Sequence, residues 1–185
     1  MNVYDFDGTI YKGDSSIDFY KHCLCRYPRL LLLTPLQLLR VLAALPSRDK
    51  TTIKQALFIY LPRVPDVYGE VGRFWQTRGS MIHTWYLTQK QPDDVIISAS
   101  PRFLLAPICM KLGVTLIASE VDPTTGRFMS RNCSGQNKPK RFREVFKDAT
   151  VDCFYSDSRN DLPMARMARK AYIVKRGKVR DWKTE

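Results

Sequence analysis

Residues 3–9 read VYDFDGT. Val3, Tyr4 and Phe6 are residues of a short buried strand, expected over 3–6, and Gly8 breaks the pattern behind them. Asp5 and Asp7 do not belong in such a strand, because a carboxylate held in apolar surroundings is costly unless something pairs with it. Their i, i+2 spacing on an extended chain turns both to the same side. The fold that follows has to bring compensating groups to the end of this first strand.

Outward from that stretch, the chain changes character twice. Residues 12–91 are helical in pattern. A Ser/Asp-rich start leads into SSIDFYKHCLCRY (15–27), which places Ile17, Tyr20, Leu24 and Tyr27 at helical spacing before Pro28. In that start Asp14 reads equally as a helix cap and as a functional acid. RLLLLTPLQLLRVLAALP (29–46) is the most apolar run, broken by Pro35, and is shorter than the roughly 20 residues that cross a bilayer. Three readings stay open for it: buried helices of a small lobe, an in-plane element at a membrane surface or substrate entrance, or a span. Residues 49–61 and 66–89 read as two more helices, with Trp75, Trp85 and Tyr86 as core.

After Pro92, short continuous apolar strands alternate with helices. Strands are expected at 93–100, 114–119, 127–133, 151–157 and 171–174, and helices at 101–113, 138–146 and 162–169. This alternation implies a parallel sheet covered on both faces. The fold class is therefore α/β: a Rossmann-like parallel sheet flanked by helices, with a small all-helical cap inserted after the first strand. Residues 1–11 and 92–185 would form the sheet domain and 12–91 the cap.

The chain has 185 residues, 44% of them hydrophobic, enough for one good core. The 30 Lys+Arg against 18 Asp+Glu leave a net charge of +12, which suits an anionic partner or substrate. Many of the cations crowd into 166–183 as a basic tail. Five cysteines without a CxxC pair, and only two histidines, argue against zinc. The first strand starts so early that no leader is expected, and a cytoplasmic location is the default.

In an open α/β sheet the ligand lies beyond the carboxyl ends of the strands. The polar residues at those ends are Asp5 and Asp7, Ser98, and Ser156, Asp157 and Asp161, with Lys138 opening the basic helix. Carboxylates so close together raise one another's pKa, and a shared hard cation such as Mg²⁺ resolves the conflict. Ser98 and Lys138 add a donor and a positive charge of the kind a phosphoryl group requires, and carboxylates serve as phosphoryl-accepting nucleophiles. Local alternatives remain: Lys140 in place of Lys138, a capping role for Ser98 or Ser100, and a capping role for Asp161.

DFDGT, the strand ending in Ser98, Lys138 in GQNKPK, and YSDSRND resemble, in order and spacing, the four motifs of the haloacid-dehalogenase-like phosphohydrolases, with a cap like that of the phosphoserine-phosphatase-like branch. The resemblance implies a Mg²⁺-dependent phosphatase. Asp5 would be the nucleophile that forms an aspartyl-phosphate, and Asp7 the general acid/base. Asp5, Asp7, Asp157 and Asp161 would serve the metal. Ser98, Lys138 and the backbone near Gly8 and Ala99 would hold the phosphoryl oxygens. Asp14 falls where that branch carries a cap residue that reads the substrate.

Other stretches (CRYPRLLLLTPLQLL, SASP, LIAS, CSGQNK) resemble the bacterial phosphatidylglycerophosphatases of the same branch. That likeness implies a lipid phosphate and peripheral contact with an anionic membrane. Small phosphomonoesters rank first and lipid phosphates second. A non-catalytic basic module and a dehalogenase are the remaining alternatives. The aromatics fall in core positions, which disfavours nucleic-acid binding, and Asp7 favours phosphate chemistry over dehalogenation.

Overall fold

The computed structural model describes residues 1–47 and 50–183, except for the side chains of Ser47 and Lys50. Residues 48 and 49, where the expected helix 49–61 begins, and residues 184 and 185, where the sheet domain ends, lie outside them. The chain opens with β1 (Asn2–Tyr4), then α1 (Ser15–Arg26), α2 (Thr34–Ala44), α3 (Lys50–Leu57), α4 (Val67–Arg78) and α5 (Thr84–Gln89). Next come β2 (Val95–Pro101), α6 (Arg102–Leu112), β3 (Thr115–Ser119) and α7 (Asn137–Phe146). β4 (Val151–Ser156), α8 (Leu162–Ala165), β5 (Ala168–Lys175) and β6 (Lys178–Asp181) complete the chain.

The sheet order is β3-β2-β1-β4-β5-β6. The first five strands are parallel, and β6 is antiparallel to β5. This is the expected α/β sheet, with β1 at its centre and the chain order reversing on either side of it. Val3 pairs with Val95 and Phe154, while Tyr4 pairs with Ile96 and Tyr155. Successive side chains face opposite sides. Val3 joins Val95, Ile97, Phe142 and Phe154 in one apolar cluster; Tyr4 joins Phe6, Phe19, Phe74 and Leu104 in the other. The second cluster runs straight from the sheet into α1 and α4, and Trp75 Nε1 donates to the Leu104 carbonyl at 2.6 Å. Trp75 and Tyr86 are buried, as their apolar neighbours predict.

Several local expectations change. The first strand stops at Tyr4, because the Phe6 carbonyl collects the N–H groups of Thr9, Ile10 and Tyr11 and curls the chain. No strand forms over 127–133 beyond a single bridge from Phe128 to Val121. Side chains replace the ladder there: Ser119 Oγ donates to Asn132 Oδ1 and accepts from the Cys133 N–H, both at 2.9 Å. The expected helix 162–169 ends after one turn, since β5 begins at Ala168. The basic tail is not a tail. Arg176 and Gly177, with φ of 50° and 75°, form the two-residue turn of a β5–β6 hairpin.

The run 29–46 departs furthest from a buried lobe. In α2 only Gln37 and Ala44 are buried, whereas Leu38, Leu39 and Leu42 are exposed. Among the described residues no helix is long and apolar enough to cross a membrane.

Candidate active site

The carboxyl ends of β1, β2 and β4 meet at one rim, because these three strands are neighbours in the sheet. A cleft of ≈ 520 Å³ opens there, and Asp5, Asp7, Asp14, Lys138, Asp157 and Asp161 all line it. Gly8 and Ala99 line the same cleft.

Lys138 stands at the start of α7, is buried and lines the cleft, whereas Lys140 is exposed and does not line it. Its Nζ donates to Asp5 Oδ1 and to Asp161 Oδ2, each at 2.6 Å. Burial alone would lower its pKa, but the two carboxylates outweigh burial and hold it above the usual lysine range. Burial pushes Asp5 up to about 7, against the opposing pull of Lys138. The second Asp5 oxygen accepts from Thr9 Oγ1 at 3.3 Å, and that hydroxyl also accepts the Asp157 N–H at 2.9 Å. Thr9 thus ties the first and last motifs together.

Asp161 does not cap the following helix through its side chain. Its Oδ2 accepts from Ser156 Oγ at 2.8 Å as well as from Lys138. Asp14 is a helix cap: its Oδ1 accepts the Ile17 N–H at 3.0 Å. It also lines the cleft.

Asp7 is held at both oxygens. Oδ1 accepts the Ser15 N–H at 2.6 Å and Oδ2 accepts from Ser100 Oγ at 2.5 Å. Burial raises its pKa, and these donors oppose the rise. Ser98 and Ser100 are both buried, each at 1% exposure, and Ala99 between them lines the cleft. The Ser98 hydroxyl accepts the Ser100 N–H at 3.0 Å, shaping the bend that presents Ser100. Ser100 thus donates directly to Asp7, a contact not foreseen in the sequence. The Ser-x-Ser repeat at the end of the strand was the available signal. Lys54 of α3 was also missed; it reaches the Ala99 carbonyl at 3.3 Å and lines the cleft. Asn132, Ser134 and Asn160 extend the lining.

Asp157 differs from the other three acids. Its carboxylate makes no side-chain hydrogen bond or ion pair with the other described residues; the charges of Lys175 and Lys138 act on it from a distance, and Lys175 Nζ binds its backbone carbonyl. Burial raises its pKa. Gly8 allows this placement: its φ is +68°, and a Cβ there would lie 2.4 Å from Asp157 Oδ2. Among the described residues no three His, Cys, Asp or Glu side chains form a ready-made cation cage. The donor set is nonetheless hard oxygen, with one partly buried carboxylate lacking a partner. This fits Mg²⁺, which takes one or two carboxylates and completes its shell with water and phosphate.

A parallel sheet with paired acids and a buried lysine at the carboxyl edge of its central strands is an α/β enzyme scaffold with its reactive rim at the switch point. The family model for haloacid dehalogenase-like hydrolases (HAD) matches residues 3–166, and the chain belongs to that family. It is a hydrolase. The chain is similar to protein CicA of Caulobacter vibrioides, 28% identical over 198 residues, covering 95% of this chain and 86% of the relative. Among solved structures it is similar to a Bordetella pertussis Tohama I protein of unknown function, with TM-score 0.68, 20% identity and 92% and 87% of the two chains covered. A phosphoserine phosphohydrolase-like protein of Francisella tularensis matches at TM-score 0.54, 16% identity and 92% and 86% coverage. These structures share its fold.

Proposed function

We propose that the chain hydrolyses phosphate monoesters through an aspartyl-phosphate on Asp5. The observation that carries this reading is the clamp of Lys138 between Asp5 and Asp161, with Asp7 in the same cleft. Lys138 opposes the rise that burial imposes on Asp5 and so favours the ionised form that a nucleophile requires. A carboxylate oxygen of Asp5 attacks phosphorus, the ester P–O bond breaks, and Asp7 gives its proton to the leaving oxygen. Burial raises the pKa of Asp7, the direction that suits a general acid. Asp7 then takes a proton from water as the water attacks phosphorus. The P–O bond to Asp5 breaks, and inorganic phosphate leaves.

Asp5 and Asp157, with the Asp7 backbone carbonyl and Asp161 behind them, would hold Mg²⁺, which supplies positive charge opposite the phosphoryl oxygens. The N–H groups near Gly8 and Ala99, with Lys138, bind those oxygens. We assign Ser98 to positioning Ser100. Residues 12–91 act as the cap over a core of 1–11 and 92–185, contributing Asp14 and Lys54 to the cleft. The five cysteines, none of them in a disulfide, fit a reducing compartment, and we place the protein in the cytoplasm.

Small phosphomonoesters rank first as substrates. One observation favours lipid phosphates as a second reading: an apolar recess of ≈ 140 Å³ lined by Ile17, Tyr20, Leu57 and Phe58 adjoins the cleft and shares Asp14 and Lys54 with it. The test is phosphate release from an aryl phosphate by wild type and Asp5→Asn. The variant should be inactive with an unchanged circular dichroism spectrum; activity above a few per cent would sink the nucleophile assignment. A panel of short-chain and long-chain alkyl phosphates then ranks the two substrate readings.

A further inference from the structure

We infer that the outward leucine face of α2, with the 3₁₀ segment Pro28–Leu33 before it, is a docking surface for an anionic lipid bilayer. The inference does not depend on the hydrolytic chemistry. α2 is apolar on nearly every side, yet it lies at the edge of the molecule and packs chiefly on α3 and the adjoining 3₁₀ segments. Its inward stripe is Leu33, Gln37, Val41 and Ala44, and the most buried of these is a glutamine. Gln37 is fixed there by Tyr20, whose hydroxyl donates to its Oε1 at 2.7 Å, and by the Leu57 carbonyl at 3.0 Å.

The leucines point the other way. Leu32 is 81% exposed and Leu39 64%, and Leu31, Leu38, Leu42 and Leu45 are each at least half exposed. Monomeric soluble proteins rarely leave so continuous an apolar patch in water without an occupant. A helix with apolar residues on its free side and basic residues beside them lies in the plane of a membrane interface.

Charge selects the occupant. No Asp or Glu occurs between Asp18 and Asp49, while Arg29 and Arg40 flank the leucines. Both arginines are exposed. A second copy meeting this face by two-fold symmetry would bring more cations and no carboxylate to pair with them. Anionic headgroups pair with them while the leucines enter the acyl boundary. Gln37 also lines the recess that joins the cleft, so docking through α2 would bring the cap side of the cleft close to lipid.

The experiment is co-sedimentation of the full chain with vesicles of phosphatidylcholine alone or of equimolar phosphatidylcholine and phosphatidylglycerol. Wild type should pellet with the anionic vesicles, lose binding as salt rises, and stay in solution with the neutral ones. Leu39→Glu/Leu42→Glu should lower the bound fraction at least about tenfold, with an unchanged circular dichroism spectrum. Met110→Glu, at a residue 80% exposed on α6, should bind like wild type. The inference is overturned if wild type fails to pellet, if it pellets equally with neutral vesicles, or if the double variant binds as well. It is also overturned if wild type sediments as a dimer that the double substitution dissociates and that ignores vesicles.

Discussion

Lys138 Nζ lies 2.6 Å from Asp5 Oδ1, although 133 positions separate the two residues. The sheet makes the contact possible, since α7 starts above the carboxyl end of the strand that delivers Asp5. An ammonium so deeply buried persists only because two carboxylates share it.

Lys138→Met should therefore strand Asp5 and Asp161 as like charges in an apolar site. We expect a loss of about 3–5 kcal/mol in urea denaturation at pH 7.5, together with loss of turnover. Adding Asp161→Asn should restore part of the stability and none of the activity. Stability within error of wild type for the single variant would contradict the buried clamp.

Ser100→Ala removes one of the two donors to Asp7 and leaves the core intact. Turnover should fall roughly 10- to 100-fold, with stability changed by less than about 1.5 kcal/mol. Ser98→Ala should reduce turnover less. A larger loss for Ser98→Ala would mean that its hydroxyl, and not that of Ser100, serves the reacting group.

Gly8→Ala meets two obstacles. The αL backbone costs a non-glycine residue about 1–2 kcal/mol, and the new methyl group displaces the Asp157 carboxylate. Calorimetric titration with Mg²⁺ should show weaker binding for Gly8→Ala and for Asp157→Asn. Chelator should stop turnover by wild type, and added Mg²⁺ should restore it. Unchanged Mg²⁺ affinity in both variants would remove Asp157 from the metal set.

Glu70, fully buried on α4, supports acid-sensitive stability far from the cleft. It accepts from Tyr27, His22, Arg26 and Arg73 at 2.7–2.9 Å. Burial would raise its pKa, but these donors together hold it down to about 2. The folded value lies below the unfolded one, so the stabilisation is complete above about pH 4.5 and is lost as pH falls toward 2. Because Arg26 and Arg73 are half exposed, solvent screening reduces the effect to on the order of 1–2 kcal/mol. Glu70→Gln should flatten this acid limb in urea titrations; an unchanged limb would assign it to other carboxylates.

Much of the site is legible in local sequence. Asp5 and Asp7 stand out because polar residues interrupt an apolar strand, and Asp157 follows another such strand. Lys138 could be narrowed only to a basic cluster, since helical periodicity does not say which lysine turns inward. Ser98 and Ser100 are indistinguishable by spacing, and only the irregularity near the end of β2, between Ser98 and Pro101, sends Ser100 to Asp7. The helix expected over 162–169 fails because pairing of β5 with β4 competes for its last residues.

The sequence by itself determined the alternation of apolar strands and helices, and with it the parallel sheet and the rim where the acids collect. Those properties are short-range: a run of buried residues and the residue that ends it are neighbours in the chain. Tertiary structure alone decided that Lys138 is clamped by two acids, that Asp157 is left without a partner, and that α2 turns a glutamine inward and its leucines outward. Each of these depends on which distant group faces a side chain, a free-energy balance among elements that no local pattern encodes.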